Sequence, residues 1–531
     1  MKITNREQAS KQVVPTRRLS LWRVLLALWT IMGLGYYGFL QFKVSQEKKS
    51  LSTLKPWFAA YTDVTATPTY AFEQLGITGA KNVVLSFIVS TPSDPCTPSW
   101  GTAYSLEQAG SKLDLDRRIA RLRQQGGAVS VSFGGALNDE LSLKCENEDK
   151  LLQAYLAVIN RYNLDTIDLD LENTSLGDKV AMARRALVIA KLQKKQRSEG
   201  KSLAVWLTLP VAPQGLTEMG TNAVKEMLGN GTDLAGVNVM TMDYGESKER
   251  EQSMHDASSN ALTQTHRQLD ILYKQAGIAL NSATLWRKVG ATPMIGQNDV
   301  VSEVFTIEDA TVLNQFAREH GVGRMSFWSA NRDIPCGENY VDTKVVSDSC
   351  SGVKTEKFGF AKVLSNDFDG SMLESAVVVT KDDPSANVQI VDDPAKSPYQ
   401  IWSENGTYLE KVKVVWHGNV YEAKWWTKGD VPDNPVLQAW ETPWQLIGPV
   451  LPGEKPIPQP TLPAGTYPEW SGKTEYQAGQ RILFEGRPYI AKWWNSGESP
   501  AASSSNTDTA AWAPISQKEI GEILEKLTAT K

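Results

Sequence analysis

The chain has 531 residues, 41% of them hydrophobic and 22% charged, which is typical of a folded protein with one core-bearing domain and about one to three smaller units. Its net charge of -5 disfavours nucleic acid as a partner. None of its four histidines lies within metal-ligand spacing of another histidine or a cysteine, so we expect no metal and no cofactor. The 17 tryptophans outnumber both the 16 tyrosines and the 13 phenylalanines, a surplus that composition alone does not explain.

An uncharged stretch near the N-terminus, residues 24–42, is just long enough to cross a bilayer core of about 30 Å as a helix. Residues 1–23 carry six basic residues and one acidic residue, a bias that keeps such a segment cytoplasmic. The sequence therefore predicts a transmembrane signal-anchor, with the rest of the chain extracytoplasmic. A cleaved signal peptide, which would make the protein secreted, is the alternative.

The four cysteines agree with export, because an even number of cysteines in an oxidising compartment favours disulfides. Cys336 and Cys350 bracket a short loop and are expected to pair locally, which leaves Cys96 for Cys145. Three pairings are possible from sequence alone. Four unpaired thiols would instead fit a cytosolic protein.

Strand-like and helix-like segments alternate over about residues 55–330, within a domain that we place at 52–366, and this alternation predicts a parallel sheet covered by helices. Eight strands in a segment of this length indicate an α/β fold of the (β/α)8 TIM-barrel type. An open doubly wound sheet is the alternative, but no glycine-rich phosphate turn follows the first strand. The strand candidates are residues 57–61, 82–89, 128–133, 166–172, 203–210, 236–244, 290–296 and 324–328.

The composition and periodicity of the sequence change beyond the predicted barrel. Residues 367–397 are polar and indicate a linker. Residues 398–450 and 467–516 repeat one another at a fixed offset of 68 positions, most clearly in AKWW, and the proline-rich stretch 451–466 separates them as a semi-rigid spacer. We predict two small all-β modules in tandem.

The strongest chemical signal is the acidic series Asp168, Asp170 and Glu172 in the fourth predicted strand. Side chains alternate along a strand, so these three carboxylates share one face, which should point into the barrel with Glu172 nearest the mouth. Buried carboxylates oppose folding unless they share protons or meet a positive charge, and the raised pKa that results suits a general acid. A calcium loop is the alternative, but the turn glycine is missing.

The DxxDxDxE pattern that ends in Glu172 resembles the catalytic signature of glycoside hydrolase family 18, the chitinases and their relatives. SFGG at 132–135 resembles the SxGG motif of the family, and MTMDY at 240–244 resembles its MxxDY-type motif. Trp328, in the eighth predicted strand, resembles the tryptophan beneath the sugar site. Thr166 departs from the pattern, since the family usually has glycine there. The resemblance implies a substrate-assisted hydrolysis in which the N-acetyl group of the sugar is the nucleophile.

The resemblance also implies a role for each acidic residue. Glu172 would protonate the leaving oxygen and then serve as base for the incoming water. Asp170 would turn toward Glu172 and hold the acetamido N–H, and Asp168 would share a proton with Asp170. Tyr244 is expected to hydrogen-bond the acetamido oxygen.

Further substrate contacts are expected around these residues. Trp328 would stack on the sugar ring, while Asp243 and Met242 would shape the acetamido pocket. Only one helix fits between the last two predicted strands, so we expect a shallow, open cleft. The remaining substrate-binding candidates are Ser132, Gly134 and Gln297.

The two modules resemble the chitin-binding modules of carbohydrate-binding families 5 and 12. Strand alternation predicts that one tryptophan of each AKWW pair faces inward and the other is exposed to a pyranose ring. Two modules on one chain would raise the avidity for an insoluble polymer. The polymer-binding candidates are Trp402, Tyr421, Trp425, Trp426, Trp470, Tyr489, Trp493 and Trp494.

Together these patterns predict an exported, membrane-anchored or secreted chitinase that acts as a monomer on chitin or a related N-acetylglucosamine polymer. An endo-β-N-acetylglucosaminidase acting on glycans or peptidoglycan is the nearest alternative. A chitin-binding lectin with an inactive barrel is the second.

Overall fold

The structure, a computed structural model, describes Trp22 and most of residues 53–529. The gaps between 53 and 529 are residues 75–80, 339, 341, 343–344, 384–385, 387–389, 456–460 and 501–510. The chain divides into two compact units, Met1–Thr53 and Leu54–Lys531. None of the described helices is long and apolar enough to cross a bilayer, and the predicted span at 24–42 lies outside the described residues.

The second unit begins with a closed barrel of parallel strands, which confirms the predicted fold. Its first strand is broken at Ala59 into β1 (Trp57–Phe58) and β2 (Ala60–Asp63). The other barrel strands are β3 (Asn82–Thr91), β6 (Ala128–Gly134), β7 (Thr166–Asp170), β8 (Ala204–Ala212), β10 (Leu234–Met240), β11 (Val289–Thr292) and β14 (Arg324–Met325). Because β1 pairs with β14 and β2 pairs with β3, the broken strand closes the ring.

Other short strands among the described residues either extend the edges of the barrel sheet or, as the last two named here, form a separate two-stranded sheet. They are β4 (Asp94–Trp100), β5 (Tyr104–Ser105), β9 (Gly215–Leu216), β12 (Gly296–Gln297) and β13 (Val304–Phe305). The predicted disulfides are both present: Cys96 in β4 is joined to Cys145, and Cys336 is joined to Cys350.

Helices follow the barrel strands and cover the sheet. They are α1 (Leu106–Lys112), α2 (Leu115–Gln124), α3 (Leu141–Lys144), α4 (Glu148–Tyr162), α5 (Asn173–Gly177), α6 (Lys179–Ser198), α7 (Glu218–Gly229), α8 (Met254–Gln275), α9 (Ser282–Arg287), α10 (Ile307–His320), α11 (Gly359–Leu364) and α12 (Met372–Ala376). Local sequence fixes where they begin. Asp178 accepts hydrogen bonds from two backbone N–H groups at the start of α6, and Thr306 and Asp309 form a reciprocal capping box at the start of α10.

Described residues of the predicted linker, 367–397, contact the barrel. Asp382 Oδ1 accepts a hydrogen bond from the backbone N–H of Ala279 at 2.6 Å. Farther along, the Asp392 carboxylate accepts hydrogen bonds from the backbone N–H groups of His417 and Gly418, each at 2.7 Å. This segment therefore contacts both the barrel and the first module.

The two C-terminal segments are small β-structures, each with an aromatic core. The strands of the first are β15 (Gln400–Ile401), β16 (Thr407–Tyr408), β17 (Lys413–Trp416), β18 (Asn419–Ala423), β19 (Thr427–Lys428) and β20 (Trp444–Pro449). The second has β21 (Glu475–Tyr476), β22 (Arg481–Phe484), β23 (Arg487–Ala491), β24 (Asn495–Ser496) and β25 (Trp512–Pro514), followed by helix α13 (Gln517–Ala529). Tyr408 packs edge-on against Trp444 in the first core, and Tyr476 packs in the same way against Trp512 in the second.

Candidate active site

Asp168 lies at the bottom of the site, fully buried inside the barrel. Its Oδ1 accepts hydrogen bonds from Thr208 Oγ1 at 2.8 Å and from the Arg324 guanidinium at 2.6 Å. Its Oδ2 accepts from Tyr61 Oη and from Ser132 Oγ, each at 2.8 Å. Four donors, one of them cationic, surround the two oxygens of this side chain.

Arg324 thus supplies a positive charge beside Asp168, while the proton sharing expected between Asp168 and Asp170 stays a prediction. Arg324 lies in β14, is 1% exposed, and also donates to Tyr61 Oη at 2.9 Å. The acidic strand predicted a nearby positive charge, but Arg324 was not identified from the sequence. The signal was present, since an arginine in the last strand of a buried barrel needs an anionic partner.

Asp170 and Glu172 are joined by a hydrogen bond between their carboxyl groups. Burial raises the pKa of Asp170 well above its usual range, and the nearby charges of Glu172 and Asp168 raise it further. Burial also raises the pKa of Glu172, as do the charges of Asp243 and Asp299, while a hydrogen bond from Asp170 opposes that rise. Two neighbouring carboxyl groups with raised pKa values keep a proton to higher pH than isolated carboxyl groups do, which suits a general acid.

These groups open into a cleft of about 360 Å³ at the C-terminal ends of the barrel strands. Trp328 forms one wall and stacks on Phe87, with ring centres 5.4 Å apart and planes 25° from parallel. Among the described residues that line the cleft, none is a lysine, arginine or histidine. Its acidic residues are Asp63, Asp170, Glu172, Asp243, Asp299 and Asp348. Of these, Asp63, Asp299 and Asp348 were missed, because isolated acidic residues at a strand end or in loops carry no sequence signal.

The SFGG motif contacts residues that form the site. Ser132 is buried, and its hydroxyl donates a hydrogen bond to Asp168 Oδ2. It therefore orients Asp168 and does not line the cleft. Gly134 has φ +109°, and a Cβ atom there would lie 2.0 Å from the backbone oxygen of Asp170. A Cβ atom on Gly135 would contact the ring of Phe87 at 3.0 Å. The glycines thus let β6 approach Asp170 and Phe87, and neither Ser132 nor Gly134 is among the described residues that line the cleft.

The MTMDY motif reaches the cleft only in part. Met242 and Asp243 line it, as predicted, but Tyr244 is buried and its hydroxyl lies 3.3 Å from Ser258 Oγ. Asp243 adopts φ +50°, which ends the extended backbone and turns the following side chain outward toward α8. Tyr244 is therefore not placed to hydrogen-bond a substrate.

Gln297 is also placed differently from the prediction. Its side chain is buried, and its amide nitrogen lies within 3.2 Å of the backbone oxygens of Asn298, Val301 and Glu303. It stabilises the turn between β12 and β13 and is not among the described residues that line the cleft.

Both tryptophans of each AKWW pair are exposed, so the expectation of one inward-facing ring is wrong. Trp425 and Trp426 are 45% and 39% exposed, and Trp493 and Trp494 are 38% and 54% exposed. In each module the strand ends at the alanine of AKWW and the next strand begins after the second tryptophan. The pair occupies a loop, where strand alternation does not apply.

The other aromatic candidates of the modules are core residues to different degrees. Trp402 is buried against Trp416, with ring centres 4.8 Å apart, and Tyr421 is buried. Their counterparts in the second module, Trp470 and Tyr489, are half-buried around Phe484. Trp402 and Tyr421 therefore stabilise the module and do not offer a binding surface.

Comparison with known proteins finds chitinases. The chain is 39% identical over 265 residues to a probable bifunctional chitinase/lysozyme of Escherichia coli, a match that covers 49% of this chain and 29% of that protein. It is 37% identical over 261 residues to endochitinase 11 of Metarhizium anisopliae, a match that covers 48% of each. The chain thus spans less than half the length of either curated relative. No protein-family model matches it.

Solved structures give the same result for the fold. The catalytic domain of a chitinase from Pyrococcus furiosus matches with a TM-score of 0.51 at 27% identity, over 60% of this chain and 99% of that one. Catalytic-site mutants of the same chitinase, solved with chito-oligosaccharides, match with a TM-score of 0.50 at 28% identity, over 60% and 97%. The (β/α)8 barrel is therefore similar to the catalytic domains of chitinases.

Proposed function

We propose that the barrel is a chitinase that hydrolyses β-1,4-linked N-acetylglucosamine. The observation that carries the proposal is the Asp170–Glu172 pair, two carboxyl groups with raised pKa values at the base of an open cleft beside the Trp328 ring. The names of the curated relatives and of the similar solved structures support the same activity.

In the proposed reaction the acetamido carbonyl of the substrate attacks the anomeric carbon. The proton of the Asp170–Glu172 hydrogen bond passes from Asp170 to Glu172 when the substrate binds. Glu172 then gives it to the leaving oxygen and later takes one from the incoming water. Asp170 Oδ1 has no hydrogen-bond partner in the free protein, which supports its role as acceptor for the acetamido N–H. The negative charge of Asp170 would also stabilise the cationic ring that the acetamido group forms.

Trp328 is proposed to stack on the apolar face of the sugar bound in the cleft. Met242 and Asp243 line the same cleft and would enclose the acetamido group. The Asp243 carboxylate is held in place, since it accepts a hydrogen bond from the backbone N–H of Val300 at 2.8 Å.

The experiment that tests this function compares substrates for the wild-type protein. Chitin, peptidoglycan and asparagine-linked glycans are incubated separately, and soluble products are identified by mass spectrometry. We expect N-acetylglucosamine oligomers from chitin. Release from peptidoglycan or glycans but not from chitin would favour an endo-β-N-acetylglucosaminidase, and binding of chitin without release would favour a lectin.

The pH profile should depend on the acidic residue at position 299. The charge of Asp299 raises the pKa of Glu172, so Asp299→Asn should lower that pKa. Glu172 then loses its catalytic proton at lower pH, and the alkaline limb of kcat/KM on soluble oligomers should shift down by about 0.2–0.7 of a pH unit. Asp299→Glu keeps the charge and should leave the limb in place. An upward shift for Asp299→Asn would contradict the proposed electrostatics.

We further propose that the two modules bind chitin through their AKWW loops. Each loop exposes two adjacent rings, and the arrangement occurs twice. Large exposed aromatic rings are unfavourable in water unless they meet an apolar surface, and a pyranose face is one. Lys424 lies over the Trp425 ring at 4.6 Å and Lys492 lies over Trp493 at 4.8 Å, so both loops hold the first ring in the same way.

The membrane anchor is a proposal that rests on the sequence of residues 24–42 alone. The two disulfides are consistent with a barrel that folds in an oxidising compartment.

A further inference from the structure

The first module is joined to the barrel by a specific set of hydrogen bonds, which we call the seam. It consists of Gln264, Arg267 and Gln268 on α8, Thr221 on α7, and residues 436–446 of the module. The Arg267 guanidinium donates to the backbone oxygens of Val436 at 2.6 Å and Leu437 at 3.1 Å. Gln268 Nε2 donates to the same Leu437 oxygen at 2.9 Å.

Two further contacts extend the seam on either side. Gln438 Nε2 lies 3.1 Å from Thr221 Oγ1, and Gln264 Nε2 donates to the backbone oxygen of Leu446 at 3.0 Å. Leu437 packs against the hydrophobic core of the barrel. Because several barrel side chains bond to the module backbone, this part of the module is fixed to the catalytic domain.

The seam lies toward the face of the barrel that carries the cleft. In a (β/α)8 barrel each helix starts at the C-terminal face, where the active site also lies. Thr221 is in the first turn of α7, and Leu216, which bonds Gln268 through both its N–H and its carbonyl, lies in β9 just beyond β8. The contacts of Thr221 and Gln268 therefore lie toward the C-terminal face of the barrel.

Trp440 projects from this fixed segment. It is 66% exposed, in a short 3₁₀ turn (Ala439–Glu441), and Gln438 and Glu441 form a capping box around it. Lys424, whose ammonium lies over the Trp425 ring, also donates to the backbone oxygen of Ala439. The Trp440 turn is thus connected directly to the AKWW loop. At the offset of 68 the sequence of the second module has Asp508, so Trp440 is not part of the repeat.

We propose that Trp440 is an additional sugar-binding position that stacks on a pyranose ring of the N-acetylglucosamine polymer. It extends the surface of Trp425 and Trp426, and the seam holds it on the cleft side of the barrel. The inference rests on the proposed chitin binding of the modules. The ligand is inferred from position: the Trp440 turn adjoins the AKWW loop, so a polymer bound to Trp425 and Trp426 would extend to Trp440.

The test uses the full chain with Trp493 and Trp494 changed to alanine, so that the second module does not mask the first. In this background Trp440→Ala and Trp440→Tyr are compared for binding to insoluble chitin and for turnover of soluble oligomers. We expect Trp440→Ala to bind chitin about fivefold or more weakly, as for a contact residue of a binding surface. The tyrosine variant keeps a flat ring and should recover most of the binding. Turnover of soluble oligomers shows whether each variant keeps a folded barrel.

Equal binding by the background protein and by Trp440→Ala, while Trp425→Ala weakens binding, would overturn the Trp440 proposal and leave the module function intact. Absence of chitin binding in the wild-type protein would overturn both. Hydrolysis is not needed for this readout, so the experiment is decisive even if the barrel acts on another substrate.

Discussion

Exchange of Glu172 for glutamine is expected to lower kcat on chito-oligosaccharides by about 10²–10⁴-fold and to leave their binding intact. Glutamine has nearly the shape of the glutamic acid side chain but has no acidic proton to transfer to the leaving oxygen. Turnover of a soluble oligomer and its dissociation constant, measured by calorimetry, separate the two effects. A fall in kcat without a large change in affinity is the signature of a group that acts only in the transition state.

The matched control is Glu148→Gln, the same exchange on the outer surface of helix α4, where Glu148 pairs with Lys191. This variant should keep the wild-type kcat. If Glu172→Gln retained more than about a tenth of the activity, Glu172 would not be the general acid, since removal of such a group is expected to have a larger effect.

Exchange of Arg324 for methionine is expected to lower the free energy of unfolding of the barrel by about 3–5 kcal/mol. Methionine fills much of the arginine volume but leaves Asp168 as a fully buried carboxylate without its cation. It also removes a guanidinium that lies between the rings of Trp57 and Trp206, at 5.3 Å from each. Urea unfolding followed by circular dichroism measures the change.

A second variant separates charge from packing. Asp168→Asn added to Arg324→Met removes the uncompensated charge, and the double variant should recover part of the lost stability. A loss below about 1 kcal/mol in the single variant would show that Arg324 does not compensate a buried charge, because such a loss is typical of an exposed ion pair.

Much of the barrel could be predicted from sequence because its signals are local and periodic. Apolar strands alternate with amphipathic helices, and this alternation placed all eight barrel strands near their observed positions. The order of Asp168, Asp170 and Glu172 toward the mouth also followed from strand alternation. In such segments one rule, the alternation of side chains, holds without interruption.

Prediction failed where the backbone leaves a regular element. Tyr244 turns away from the cleft because Asp243 before it adopts a left-handed conformation, and a motif does not reveal that turn. The AKWW residues lie in loops, so both rings are exposed. Arg324 was missed for another reason: it pairs with Asp168 across the barrel at a separation of 156 residues, and no local pattern connects them.

The substrate-assisted mechanism is tested most directly by the anomeric form of the first product. This form is measured by proton NMR during hydrolysis of a soluble N-acetylglucosamine hexamer. Attack by the acetamido group and then by water inverts the anomeric centre twice, so the wild-type protein should release the β-anomer first. Initial release of the α-anomer would mean that water attacks directly, with no acetamido intermediate. That result would contradict the mechanism assigned to Asp170 and Glu172.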